Sequence, residues 1–228
     1  MTTDLIAVVP LRAGSKGLPG KNTRLLSGKP LFWHSLQHAR AAGINRILIT
    51  TDIAELLSAD FGDDVTVTPR PEALATDMIP MSAVLRHVLA QDINGSATIV
   101  LLQATSPLRD PIDIRRAIDL HSRAAYDLVM SVTPADSSVL KWGTISQGRY
   151  VPLRAPKYCF TNRGELPAVF RPDGAIYVFD ADWFRCRGEL STDSIGVVKT
   201  NPERAHDIDT DTDFEEVART LERITDAG

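Results

Sequence analysis

The chain has 228 residues, enough for one large domain. Hydrophobic residues make up 43% and charged residues 24%, which is ordinary globular usage and excludes a disordered tail. A formal net charge of −4 argues against a broad nucleic-acid footprint, no apolar run approaches bilayer-spanning length, and two cysteines, Cys159 and Cys186, build neither a disulfide scaffold nor a zinc site.

The residues at 1–4 lack the basic start and apolar stretch of a signal peptide, so a cytoplasmic protein with reduced thiols is expected. Residues 5–9 read as a strand buried on both faces. A helix over 30–42 is entered through Pro30 and stopped by Gly43. A strand at 46–50, a short helix near 53–60 and a weak strand at 65–67 follow. A Pro-rich loop leads to a helix at about 81–91, then to a central strand at 97–102. Asp110 and Pro111 start a helix reaching about 124, and 128–132 is a strand. Residues 133–170 break the rhythm with four prolines and no long helical period, and read as an excursion carrying a hairpin arm. Strands return at 174–179 and 195–198. A last helix begins near Thr212, with Thr212 and Glu215 as a capping box. This alternation predicts an α/β fold with a doubly wound, mostly parallel sheet.

The loop after the first strand, PLRAGSKGLPGKN over residues 10–22, holds three glycines, a serine and three cations. Ligands of doubly wound sheets bind beyond the strands' C-terminal ends, where glycines admit phosphate oxygens to backbone N–H groups and cations neutralise them. The loop reads as a triphosphate cradle, with a flexible surface turn as the plainer reading. It is no Walker A loop, because Ser15 and Asn22 fail both ends of that pattern. Gly14, Gly17 and Gly20 also miss the dinucleotide spacing.

The segment HDIDTDTD at 206–213 alternates four carboxylates. Alternate residues of an extended segment share a side, so Asp207 and Asp209 can share one divalent cation of the Mg²⁺ type. Asp211 and Asp213 suit a helix N-terminus. From spacing alone, a metal site and a mere capping cluster stand level. His34, His38, His87 and His121 fall in predicted helices without metal spacing, and His206 adjoins the aspartates.

Four segments in order, RAGSKGLPGKN (12–22), LLQATSPLR (101–109), FRPDGAIY (170–177) and DIDT (207–210), resemble the acylneuraminate cytidylyltransferases, also called CMP-sialic acid synthetases. Thr51-Asp52 and Arg70-Pro71 support the resemblance, which runs from residue 5 to about 220. It implies a nucleotide-diphospho-sugar transferase-like, Rossmann-like domain over 1–228, with an inserted dimerisation arm at about 139–170, and hence a homodimer. It also implies transfer of CMP from CTP to the anomeric hydroxyl of a nonulosonic acid, with Mg²⁺ (Mn²⁺ as the alternative ion) and release of pyrophosphate. Arg12, Ser15, Lys16, Lys21 and Asn22 then hold the CTP phosphates and ribose, with Lys21 neutralising charge at the α-phosphate. Arg70 and Ser82 seat cytidine, and Asp207 and Asp209 hold the metal. Arg12, Lys21 and Asp209 are the implied catalytic set. Gln103, Lys141, Arg163, Arg171 and Tyr177 bind the acceptor, Lys141 and Arg163 serving the partner's site.

Three departures concern the acceptor half. Asp173 stands where the family usually has Asn, and its carboxylate repels an acidic acceptor unless it is paired or turned away. Ala104 stands where Pro is usual. The aromatic pair that packs an N-acyl group is absent from the stretch 188–194. A phosphonate or another acid acceptor therefore stays open, as does a catalytically silent nucleotide-binding protein. Retention of Arg12, Lys21, Asp207 and Asp209 together argues against silence.

Overall fold

Residues 4–15 and 17–226 are described by a computed structural model. The first apolar run forms β1 (Asp4–Pro10), with Ile6, Ala7, Val8 and Val9 wholly buried because helices cover both of its sides. The glycine-rich loop follows. A single turn at Lys21–Thr23 and a small hairpin of β2 (Leu25–Leu26) and β3 (Lys29–Pro30) then lead into α1 (Leu31–Ala41). Next come β4 (Ile47–Thr51), α2 (Ala54–Leu57), β5 (Val65–Pro69), α3 (Met81–Gln91) and β6 (Ala97–Leu101), all where the periodicity places them. In α4 (Pro111–Arg123) the expected start is seen: the Asp110 carboxylate accepts from the Ile112 N–H, and Pro111 opens the first turn.

After β7 (Leu128–Ala135) the chain leaves the sheet as expected. The excursion is a hairpin of β8 (Gly143–Ser146) and β9 (Arg149–Pro152) among short 3-10 turns. It returns through β10 (Val169–Asp180), α5 (Ala181–Arg187), β11 (Ile195–Lys199) and α6 (Asp211–Asp226). The seven-stranded sheet runs β11-β7-β10-β6-β1-β4-β5. Every neighbouring pair is parallel except those of β10, which is antiparallel to both β6 and β7. No helix among the described residues is long and apolar enough to cross a membrane.

The period of two along each strand builds two cores. Ala7, Val9, Ile47, Ile49, Val100 and Val178 face Phe32 and Leu36 of α1 and Ile114 of α4. Ile6, Val8, Leu48, Ile99, Leu101 and Phe179 face Leu85 and Val88 of α3 and Phe184 of α5. A third cluster joins Leu18 of the glycine-rich loop to Ile208, Phe214 and Val217. Burying that many apolar side chains contributes roughly 1.5–3 kcal/mol each. This cluster fastens α6 and the segment before it onto the loop that follows β1.

Two expectations need correction. The capping box of α6 is Thr210 with Asp213, not Thr212 with Glu215. The Asp213 N–H donates to Thr210 Oγ1 at 3.3 Å, and the Thr210 N–H to Asp213 Oδ2 at 2.7 Å. Because α6 already begins at Asp211, Thr210 is the residue whose hydroxyl meets the first free N–H groups. The last long strand begins at Val169 rather than Gly174. Its first half pairs only with β7, and a register shift between Pro172 and Tyr177 marks where it rejoins β6.

Candidate active site

A cavity of about 220 Å³ opens beyond the C-terminal ends of β1, β5 and β6. Arg12, Ser15, Lys21 and Asn22 reach it from the glycine-rich loop, Arg70 from the end of β5, Gln103 from the end of β6, and Asp207 and Asp209 from the stretch before α6. These eight expected site residues are brought together. Lys16 lies outside the described residues. Ser82 sits in the first turn of α3, where its neighbour Met81 lines the cavity instead.

The two halves of the cavity lock into each other. A Cβ on Gly17 would lie 2.4 Å from the Asp209 carbonyl oxygen, so glycine is required there by the close approach of the two segments. Gly20 takes a left-handed conformation, φ 65°, to start the turn that carries Lys21 and Asn22. The Ile208 N–H donates to the Thr105 carbonyl at 2.9 Å, and the Ile208 side chain is fully buried. Asp207 and Asp209 on either side of it therefore turn toward the cavity, as the alternation predicts.

Lys21 Nζ donates to the Ile208 carbonyl and lies 3.0 Å from Asp209 Oδ1. The lysine side chain is 9% exposed, the aspartate 74%. A desolvated ammonium pointed into a cavity is a strong partner for an anion. Burial pushes the Asp207 carboxyl above its ordinary value, the nearby Asp209 and Asp213 charges adding to this while Thr105 and Lys21 pull it down. Asp211 and Asp213 are otherwise engaged: Asp211 pairs with Arg24, and Asp213 caps α6. Two hard-oxygen donors thus remain at the cavity, and among the described residues no group of three His, Cys, Asp or Glu side chains gathers. That set fits Mg²⁺, which takes one or two carboxylates plus phosphate oxygens, rather than an ion needing an all-protein cage. His206 faces a different groove, with Glu203, Glu216 and Arg219.

Arg70 is buried and donates to the Thr50 carbonyl at 3.2 Å, while its Nε has no partner among the described residues. Burial lowers its pKa to about 10, opposed by Asp52. A guanidinium held this way keeps donors for a ligand.

The acceptor candidates divide. Gln103 lines the cavity. Tyr177 is half-buried on β10, and burial raises its pKa, with the charges of Asp173 and Asp207 raising it further. It therefore sits between the cavity and the β10 irregularity. Lys141, Arg163 and Arg171 do not line the cavity. Arg171 lines a second cavity of about 350 Å³ at the root of the arm, with Asp136, Trp142 and Phe170. Arg163 pairs with Asp136 at 3.2 Å, and Lys141 ends the turn just before Trp142.

Asp173 is paired. It is buried, accepts from Ser131 Oγ, from Thr200 Oγ1 at 2.7 Å and from the Ala175 N–H at 3.0 Å. Beside it, buried Arg109 donates to the carbonyls of Ala175 (2.7 Å) and Gln103 (2.5 Å). Burial lowers Arg109 to about 9, and the Asp173 charge opposes this. Arg109 thus bridges the ends of β6 and β10 where their ladder stops. Sequence reading missed this clamp, although Arg109 closes a quoted segment, because nothing local marks an arginine as buried.

A family model described as cytidylyltransferase matches residues 6–220. The chain is 29% identical over 212 residues to an N-acylneuraminate cytidylyltransferase of Streptococcus agalactiae serotype V, covering 92% of this chain and 51% of that protein. It thus spans about half the length of that relative. It is 34% identical over 188 residues to the CMP-N,N'-diacetyllegionaminic acid synthase of Legionella pneumophila, covering 78% of each. The fold matches a solved CMP:2-keto-3-deoxy-manno-octonic acid synthetase complexed with CTP, with TM-score 0.69, 16% identity, 97% of this chain and 100% of that one. With the match running from the first strand into the last helix, the chain belongs to the cytidylyltransferase family.

Proposed function

We propose that this chain transfers CMP from CTP to the anomeric hydroxyl of a nonulosonic acid and releases pyrophosphate. The observation that carries the reading is the meeting of Lys21 with Asp207 and Asp209 on one cavity also lined by Arg12 and Arg70. A cradle whose three cations adjoin two carboxylates, one of them held by Lys21, suits a metal-bound triphosphate. Two relatives whose names specify sialic-type acids support the acceptor class.

In this reading Arg12, Ser15 and Asn22 hold the phosphates, and Arg70 with Ser82 seats the base. Lys16 belongs to the same set by its place in the motif. Lys21 faces the α-phosphate and neutralises the charge that builds there. Asp207 and Asp209 would hold Mg²⁺, which would supply charge neutralisation for the phosphates. The acceptor hydroxyl attacks the α-phosphorus and gives up its proton to solvent while the bond to the leaving pyrophosphate breaks. Gln103 and Tyr177 orient the acceptor, and Arg171 meets its carboxylate from the root of the arm.

Trp142, Ile145 and Phe160 on the arm are 60%, 80% and 91% exposed, which supports a homodimer in which Lys141 and Arg163 complete the partner's site. The test is pyrophosphate release from CTP with Mg²⁺ across several nonulosonic acids, an eight-carbon 2-keto-3-deoxy acid and small phosphonates, with ATP, GTP and UTP as controls. Turnover with CTP and a nonulosonic acid is expected. Turnover with a phosphonate alone overturns the acceptor, and silence with every acceptor overturns the activity.

A further inference from the structure

Arg12 is tied down at three points. Its carbonyl accepts from Asn22 Nδ2 at 2.8 Å, the following Ala13 N–H donates to Asp52 Oδ1 at 2.8 Å, and its guanidinium pairs with Asp77. Asp52 directly follows β4. Asp77 lies between β5 and α3, in a turn closed by the Ile79 N–H donating to the Thr76 carbonyl at 3.3 Å. Arg12 and Arg70 line the nucleotide-side cavity, whereas Asp77 and Asp52 do not. Asp77 lines an adjoining cavity of about 430 Å³ that shares Arg12 and Ser15 with the first. The two guanidinia are close enough for the Arg12 charge to lower the pKa of Arg70, and Asp52 opposes that effect. Two cations therefore face one cavity, and a carboxylate flanks each.

We propose that Asp77 is a positioning residue: from the side away from the cavity it holds the Arg12 guanidinium at the cavity's edge, against repulsion from Arg70, ready for an incoming triphosphate. This rests on the reading of the cavity as the CTP site. Asp77 engages the guanidinium through Nη1, and a guanidinium carries five N–H donors, more than one carboxylate takes up. A side chain fixed beforehand loses less rotamer freedom when its ligand arrives. Because Asp77 lines the adjoining cavity and not this one, its charge backs the arginine instead of occupying a phosphate's place.

Calorimetric titration of the full chain with CTP and with cytidine, at fixed Mg²⁺, tests this in the wild type, D77N, R12A and R12A/D77N. D77N is expected to weaken CTP about tenfold while leaving cytidine within about twofold. It is expected to weaken CTP no further in the R12A background. Wild-type or tighter CTP binding by D77N, equal weakening of CTP and cytidine, or full additivity with R12A each overturns the positioning role alone. Wild-type CTP binding by R12A overturns the triphosphate reading together with it.

Discussion

Replacing Asp173 by Asn removes one buried charge and little else. The Asn carbonyl can still accept from Ser131 and the Ala175 N–H, and its amide can donate to the Thr200 hydroxyl that now donates to Asp173. What is lost is the charge that opposes the burial of Arg109. Asp173 and Arg109 interact through space, so D173N is expected to cost about 2 kcal/mol, less than the loss of a buried contact pair. For a domain of this size that is a fall in melting temperature of roughly 4–8 °C. Thermal and urea denaturation of D173N measure it directly. The same change in an R109Q background is expected to cost less than about 1 kcal/mol, because no guanidinium remains to be compensated. A D173N chain melting within about 2 °C of wild type refutes the argument, and so does an equal loss in both backgrounds. The first result means Arg109 is compensated elsewhere, the second that Asp173 matters only as a hydrogen-bond acceptor.

K21A is expected to lower turnover by about a thousandfold with the fold intact, since a charge at the reacting phosphate is worth that much, and circular dichroism separates the two effects. D209A is expected to abolish Mg²⁺-dependent turnover while leaving the melting temperature near wild type; substantial activity in either variant defeats the proposed roles. G17A forces the Asp209 backbone away from the glycine-rich loop, so it is expected to weaken CTP binding at least tenfold, read by titration against cytidine. Burial, with Arg109, His34 and Arg204 adding to it, holds His38 neutral down to about pH 3. Below the ordinary histidine value near 6.5 the unfolded chain takes up a proton that the folded chain refuses. Full stability is therefore present above pH 6.5, and about 2 kcal/mol is lost from this group between pH 7 and 5. H38L is expected to flatten that slope, and an unchanged slope removes the histidine as its cause.

The parts of the molecule legible in the sequence are those whose signal is local. Continuous apolar runs at β1, β4 and β6 show strands buried on both faces, and Asp110-Pro111 shows a helix start, because each depends on neighbouring residues alone. The eight cavity residues were legible through motifs in a known order, and within the run from Asp207 to Asp213 the start of α6 separates the two carboxylates that line the cavity from the two bound to Arg24 and to the helix cap. The hairpin of β2 and β3 was not legible, because two-residue strands carry no periodicity. The start of β10 was hidden by Arg171, Pro172 and Asp173, which lie in the half of the strand that pairs with β7 alone and carry no apolar alternation. The bonds of Arg109 to Ala175 and the pair of Arg12 with Asp77 join residues far apart in sequence, and only the fold determines that these groups meet.

Under the proposed function, the nucleotide and acceptor halves of the site are built to different standards. The nucleotide half is assembled from strand ends and one turn, each tied by backbone or buried bonds: Ala13 to Asp52, Asn22 to Arg12, Ile208 to Thr105, Lys21 to Ile208. Little freedom is left for a triphosphate to remove, so CTP recognition is expected to tolerate few substitutions. The acceptor half joins a clamped floor, where Arg109 holds Gln103 and Ala175, to an exposed arm carrying Lys141 and Arg163. Under that proposal, changes on the arm are expected to alter which acid fits without disturbing the cradle. Of the departures, Ala104 borders the cavity beside Gln103, and Asp173 is buried in the floor under hydrogen bonds from Ser131, Thr200 and the Ala175 N–H. Acceptor choice can therefore drift within this fold while the chemistry at the α-phosphate stays fixed.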